Sequence, residues 1–228
     1  MIDLSVIVPT LNEGQNIERT LQAIRAGAPQ AEIIVVDAGS SDSTCDKAGP
    51  LSDKLVRGPR GRAAQMNVGA SRASGSALAF VHADTIVPPS FAADIATALS
   101  PPEVVGGRFD VQLDDPALLL KLTSDLISWR SRISRTATGD QAIFVRTDVF
   151  RRIGGFPEIE ICEDLEFSRR LKREGAVACL RSRVTTSARR WRMEGTVRTI
   201  LRMWSIKLMY LAGVSPARLK QMYSDAPR

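Results

Sequence analysis

The chain has 228 residues, 44% apolar and 25% charged, which is the balance of an ordinary globular protein long enough to bury one substantial core. No apolar run approaches the roughly 20 residues that span a bilayer, and the opening MIDLSVIVPT lacks the basic, apolar and cleavage regions of a secretory leader, so export is not expected. Net charge is +6, yet residues 181–228 alone hold 11 Lys and Arg against 2 Asp and Glu. Such a basic segment on a mildly acidic body suits either an anionic partner (substrate phosphates, a lipid surface, nucleic acid) or a plain solvated face. The three cysteines Cys45, Cys162 and Cys179 form no metal-ligand spacing and read as reduced thiols in a cytoplasmic compartment.

Taken in order, LSVIVP is a short β-branched strand, and Ile17, Leu21 and Ile24 give residues 13–26 a helical period. AEIIVVDAG is a second buried strand, SSDSTCDKAG a capped short helix closed by Gly49, KLVRG a third strand, and residues 61–73 a helix. ALAFVHAD makes a fourth strand, with a helix over 90–99 after Pro88 and Pro89. Beyond it come a longer strand VVGGRFDVQL, an amphipathic helix over 116–132, a strand AIFVR and a helix over 163–173. Two short strands AVACL and VTTS follow, and then a long helix over 196–211.

Alternating strand and helix with near-continuous apolar strands specifies an α/β fold, a mostly parallel sheet with helices on both faces. No repeat or low-complexity linker divides the chain, so residues 1–228 are expected to form a single domain. Ligands of such sheets bind beyond the carboxyl ends of the strands, where PTLNE, DAGSSDS and HADT stand.

Neither GxGxxG nor GxxxxGK[ST] is present, which removes the dinucleotide and P-loop fingerprints. One histidine, His82, excludes HExxH, and no GxSxG elbow is present. What remains is acids at strand ends: Glu13, Asp37 and Asp84 would gather at one edge and repel unless a cation or hydrogen-bond donors compensate. Asp42 reads as a helix cap. Asp37 stands too early in the loop to cap, which favours a functional role.

The stretches SVIVPTLNEGQNI, IIVVDAGSSDST, GRAAQMNVGASRASG and AFVHADT, followed by TGDQAIFVRTDVFRRIGGFPEIEICEDLEFSRRL, resemble the family 2 glycosyltransferases, which have the GT-A fold. The likeness covers nearly the whole chain, with HADT, GDQ and TSARRW similar to a subgroup labelled as arsenosugar biosynthesis glycosyltransferases. Most members read Asp-Gly-Ser and Asp-x-Asp where this chain has DAGS and HAD.

By this resemblance, residues 1–100 form a nucleotide-binding half in which Pro9, Glu13, Asp37 and Gly39 hold the base and ribose, with Arg62 and Asn67 near nucleotide or diphosphate. Asp84 would be the main contact to a metal, Mn²⁺ or Mg²⁺. Residues 101–228 form the acceptor half. There Asp164 matches the general base of an inverting transfer, Glu163 orients it or the acceptor, and Gly139, Asp140 and Gln141 floor the sugar and acceptor pocket. Arg190 and Trp191 are expected on the acceptor and sugar side by a partial match to a motif of processive polymerases, whose Arg meets diphosphate and whose Trp stacks on a sugar; Ser187 stands here in place of its glutamine.

His82 lies two residues before Asp84, on the same side of an extended segment. A contact to phosphate or behind the metal ranks first and direct ligation second, a nitrogen ligand favouring Mn²⁺. The implied activity is metal-dependent transfer from a nucleotide-sugar, UDP-sugar by default, to a small metabolite or lipid phosphate. A pyrophosphorylase-like nucleotidyltransferase is opposed by the acidic loop after the first strand. A non-catalytic nucleotide-sugar binder is opposed by intact Asp84 and Asp164. Nucleic acid is not an expected partner, since no aromatic platform accompanies the basic charge. The last helix gathers Val197, Ile200, Leu201, Trp204, Leu208 and Leu211 on one face, suited to the body of the domain, a twin subunit or the inner membrane surface.

Overall fold

A computed structural model describes residues 2–222. Strands β1 (Leu4–Thr10), β2 (Glu32–Asp37), β3 (Lys54–Arg57), β4 (Ala77–Phe80), β5 (Thr85–Ile86), β6 (Val104–Leu113), β7 (Ile143–Arg146) and β8 (Ala176–Thr186) form one sheet in the order β3-β2-β1-β4-β7-β6-β8-β5. The pairs β1–β2, β1–β4, β2–β3 and β6–β8 are parallel, whereas β7 pairs antiparallel to β4 and β6, and β5 antiparallel to β8. The chain leaves β1 toward β2 and β3, then returns to place β4 on β1's other side. The gap above the ends of β1 and β4 is thus a switch point of the kind that binds ligands in α/β sheets.

Alternate residues of the central strands serve two cores. Val6 and Val8 of β1 with Ile33 and Val35 of β2 pack against α1 (Ile17–Gly27) and α4 (Phe91–Ala98). Ile7, Ile34, Val36 and Phe80 face the other way, against α3 (Arg62–Arg72), α6 (Thr147–Arg152) and α7 (Glu163–Glu174). Each fully buried aliphatic side chain is worth about 1.5–3 kcal/mol, so two-sided burial is what fixes the register. Gly69 lets α3 lie close to the sheet, since a Cβ there would stand 2.4 Å from Ile7 Cγ2.

The remaining helices are α2 (Thr44–Ala48), α5 (Leu118–Ser134), α8 (Arg189–Glu194), α9 (Thr196–Leu211) and α10 (Pro216–Met222). Three details differ from the sequence expectation. The first helix begins at Ile17, because residues 13–16 are spent on a turn in which the Glu13 carbonyl accepts the amides of Asn16 and Ile17. AVACL and VTTS belong to the single strand β8, whose pairing with β6 shifts register between Arg108 and Asp110. The Arg132 guanidinium donates to the carbonyls of Cys179 and Leu180 in that irregular stretch, satisfying groups the ladder leaves free. Helices α6, α8 and α10 and the two-residue β5 carry too few residues for a periodic signal.

Candidate active site

The nucleotide-side loops are held by their own polar side chains. Gln65, buried in α3, donates to the carbonyls of Thr10 (2.9 Å) and Val36 (2.8 Å) and so ties the ends of β1 and β2 together. Asp37 Oδ2 accepts the amides of Gly39 (2.8 Å) and Ser40 (2.9 Å), and Oδ1 accepts the Ser40 hydroxyl. Burial pushes the Asp37 carboxyl up, but these donors outweigh it and hold its pKa below the ordinary value. Asp37 therefore shapes the loop in which Gly39 takes a positive φ of 87°. The cap position of α2 falls on Ser43 and not on Asp42; Asp42 accepts from the amide and hydroxyl of Thr44 one residue beyond it, and also from the Gly14 amide at 3.0 Å.

Pro9, Glu13, Arg62, His82, Asp84 and Thr186 line one cleft above the switch point. Glu13 Oε1 pairs with Arg189 at 3.3 Å, and its Oε2 accepts from Asn16. Asp84 sits deep beside it. Burial and the Glu13 charge raise its pKa, with Arg62 and Arg189 pulling the other way. His82 has a buried Nε2 with no hydrogen-bond partner among the described residues. Burial, then the charge of Arg62, lower its pKa to about 3, so the ring is neutral and free to accept or to ligate through that nitrogen.

Across the cleft, the 3₁₀ turn Gly139–Gln141 brings in the second half of the chain. Gln141 is wholly buried, and its Oε1 accepts the Thr138 amide at 3.0 Å, closing a capping box. The Gly139 amide donates to Asp164 Oδ2 at 2.8 Å. A Cβ on Gly139 would stand 2.7 Å from His82 Nε2 and 4.0 Å from Asp164 Oδ2, so this glycine lies near both side chains. Asp164 and Glu163 open α7 from Cys162, whose φ of 67° is left-handed, and Ala142 after the 3₁₀ turn has a φ of 45°. Non-glycine residues rarely hold such angles, and they cluster at sites whose surroundings over-determine them.

Burial raises the pKa of both Asp164 and Glu163. Next in effect on Asp164 is the charge of Lys207 from α9, which favours the anion. Arg130 of α5 also faces Asp140 and Asp164, and its Nη2 is buried without a hydrogen-bond partner among the described residues. Neither cation stands out in the sequence, nor do Gln65 and Arg189. Each comes from a helix whose docking, not its local pattern, points it at the site.

Two expected site residues face elsewhere. The Asn67 amide both donates to the Phe156 carbonyl and accepts its amide, each at 2.9 Å, and so bolts α3 to the Gly154-Gly155-Phe156 turn. Trp191 is 7% exposed and packs with Leu113, Leu120 and Ala188, so its ring is enclosed in a core and not open to stack on a sugar. The Arg190 side chain lies outside the described residues.

No group of three or more His, Cys, Asp and Glu side chains among the described residues is arranged to hold a metal ion. The cleft still offers two convergent donors, the Asp84 carboxylate and the orphaned Nε2 of His82. That set fits a divalent cation that takes its remaining oxygens from a diphosphate and water, the usual habit of such ions on phosphorylated substrates.

A model of glycosyl transferase family 2 matches residues 5–154. Glycosyltransferase AglE of Haloferax volcanii is 27% identical over 169 residues, 68% of this chain and 56% of that protein, so the chain spans little more than half the length of this curated relative. The mannosyltransferase PcManGT of Pyrobaculum calidifontis, solved with GDP-Man and Mn²⁺, superposes with a TM-score of 0.67 at 20% identity, over 100% of this chain and 68% of that one. S. aureus TarS 1–349 with UDP gives 0.66 at 19% identity, over 82% of this chain and 60% of that one. These likenesses carry the fold, which is of the GT-A kind.

Proposed function

The chain belongs to glycosyl transferase family 2, and on that premise we propose that it transfers a sugar from a nucleotide-sugar to an acceptor hydroxyl with inversion at the anomeric carbon. The observation that supports this reading is that Gly139, whose amide holds the Asp164 carboxylate, lies against His82, a residue of the cleft wall. Asp164 takes the acceptor proton as the new carbon–oxygen bond forms. The bond to the diphosphate breaks on the opposite face, and its electron pair leaves with the nucleotide. Burial makes Asp164 more basic than a solvated carboxylate, while Lys207 keeps the anion accessible.

A divalent cation, when bound, would neutralise charge on the departing diphosphate. Asp84 would hold it, with His82 as a second ligand or a phosphate contact. A nitrogen in that set supports Mn²⁺ ahead of Mg²⁺. Arg62, exposed at the mouth of the cleft, would meet the diphosphate, and Glu13 with the Asp37 loop would meet ribose and base. UDP-sugar is the donor read first, in keeping with UDP in the TarS complex. GDP-Man in the Pyrobaculum enzyme makes a GDP-sugar the alternative.

One sheet runs through both halves of the chain, which supports reading residues 1–228 as a single catalytic domain. Its three free cysteines support a reducing, cytoplasmic setting. The deciding experiment is a thermal-shift panel of UDP, GDP, dTDP and CDP, each with Mn²⁺, Mg²⁺ or EDTA. Stabilisation by one nucleotide that depends on metal is expected, and no response to any of them would overturn the reading.

A further inference from the structure

Helices α5 and α9 each turn a row of large apolar side chains to solvent. On α5 the row is Leu122, Leu126, Trp129 and Ile133; on α9 it is Leu201, Trp204, Leu208 and Leu211. Trp129 is 63% and Leu211 78% exposed. The spacing of three and four residues puts each row on a single helical face. The opposite faces are the ones that dock. Leu120 and Ile127 of α5 join Ile200 and Met203 of α9 around Trp191, and Ile206 packs on Cys162 at the head of α7. Both helices thus pack into one part of the fold, each apolar on its exposed face as well as on its docked one. An exposed apolar area of this extent marks a contact site.

Charge says what the contact is. Across α5, α8, α9 and α10 the only acids are Asp125 and Glu194, and each is engaged by an arginine, Arg183 and Arg202 respectively. Lys121, Arg198, Arg218 and Lys220 are exposed, and none is in an ion pair among the described residues. A second copy of this face would set cations against cations, whereas an anionic surface would neutralise them. We infer that this face docks on the surface of an anionic lipid bilayer, the apolar rows entering the boundary between headgroups and acyl chains while the cations meet lipid phosphates. No helix among the described residues is long and apolar enough to cross a membrane. Helices of about 24 Å with one apolar face suit lying in its plane.

Sedimentation with vesicles of phosphatidylcholine alone, or mixed with phosphatidylglycerol, tests this without donor or acceptor. The protein should bind the mixed vesicles at least about tenfold more tightly and lose binding as salt is raised. Leu201→Glu/Leu208→Glu and Leu122→Glu/Leu126→Glu should each abolish binding with circular dichroism unchanged. Should these variants misfold, tryptophan quenching of the unaltered protein by bromine-labelled phosphatidylglycerol vesicles decides alone, since a docked face must be quenched. Absence of vesicle binding, binding indifferent to the substitutions, or a dimer dispersed by Leu201→Glu/Leu208→Glu that ignores vesicles would overturn the inference.

Discussion

The amide of Gly139 and the carboxylate of Asp164 are joined by a 2.8 Å hydrogen bond across 25 residues of sequence. The other carboxylate oxygen is held by the Leu165 amide, also at 2.8 Å, so Asp164 is aimed by the backbone on both sides. Asp164→Asn keeps that shape and removes the basic function. Turnover should fall by about 10²–10⁴ while donor affinity stays within a few-fold. Undiminished turnover in a single-turnover assay would take the base role from this residue.

Gly139 also sets the room available to His82. Gly139→Ala would drive a methyl against Nε2, since a Cβ there would stand only 2.7 Å from it. We expect transfer to drop by at least about tenfold, since a displacement near 1 Å can cost 10²-fold, with the fold intact by circular dichroism. Wild-type activity in this variant would show that the ring's position is immaterial.

Asp84→Asn should cancel the metal-dependent part of nucleotide stabilisation while leaving any metal-independent part in place. His82→Ala should weaken the response to Mn²⁺ more than that to Mg²⁺ if its nitrogen is a ligand. A metal-dependent shift that survives Asp84→Asn would move the cation elsewhere.

Glu163 supplies a pH prediction whose sign is opposite to that of most carboxylates. Burial and the neighbouring Asp164 push its pKa up from 4.5 to about 7. The folded state therefore holds a proton that the unfolded state has lost across that window, and stability falls as pH rises through it. Glu163→Gln should raise Tm at pH 8 by about 2–4 °C per kcal/mol relieved and leave it nearly unchanged at pH 4. Equal Tm differences at both pH values would show that no proton is linked to folding at this position.

The Gln65 clamp predicts a different loss. Gln65→Leu keeps volume but leaves the Thr10 and Val36 carbonyls short of a donor, at a cost of about 1–3 kcal/mol. Urea melts should show this as a lower midpoint with the same slope, and nucleotide affinity should weaken with it. A midpoint equal to that of the wild type would show the clamp to be dispensable.

The strands and the acids at their ends were legible because both depend on local pattern: β-branched runs for β1 and β2, an apolar run for β4, then polar residues where the runs stop. The HAD segment could be found the same way, whereas the ED pair heading α7 stood out only through the resemblance to family 2 glycosyltransferases. Asn67 reads as a ligand contact until Phe156 arrives from 89 residues away and occupies its amide. Trp191 reads as a sugar-side residue by its partial motif match until α5 and α9 close over it. Lys207 and Arg130 carry no local mark at all, since a cation on an amphipathic helix becomes part of a site only through the angle at which that helix docks.

Strand β5 follows directly on His82 and Asp84, and its partner is β8, where Thr85 pairs with Thr186 and Ile86 with Thr185. The segment carrying His82 and Asp84 is thereby fastened by β8. A fragment ending near residue 100 would keep every loop assigned to the nucleotide and still lose the strap that closes them. On the function proposed above, donor recognition would draw on both halves of the chain, and dividing it into a donor piece and an acceptor piece would be expected to leave neither piece able to bind.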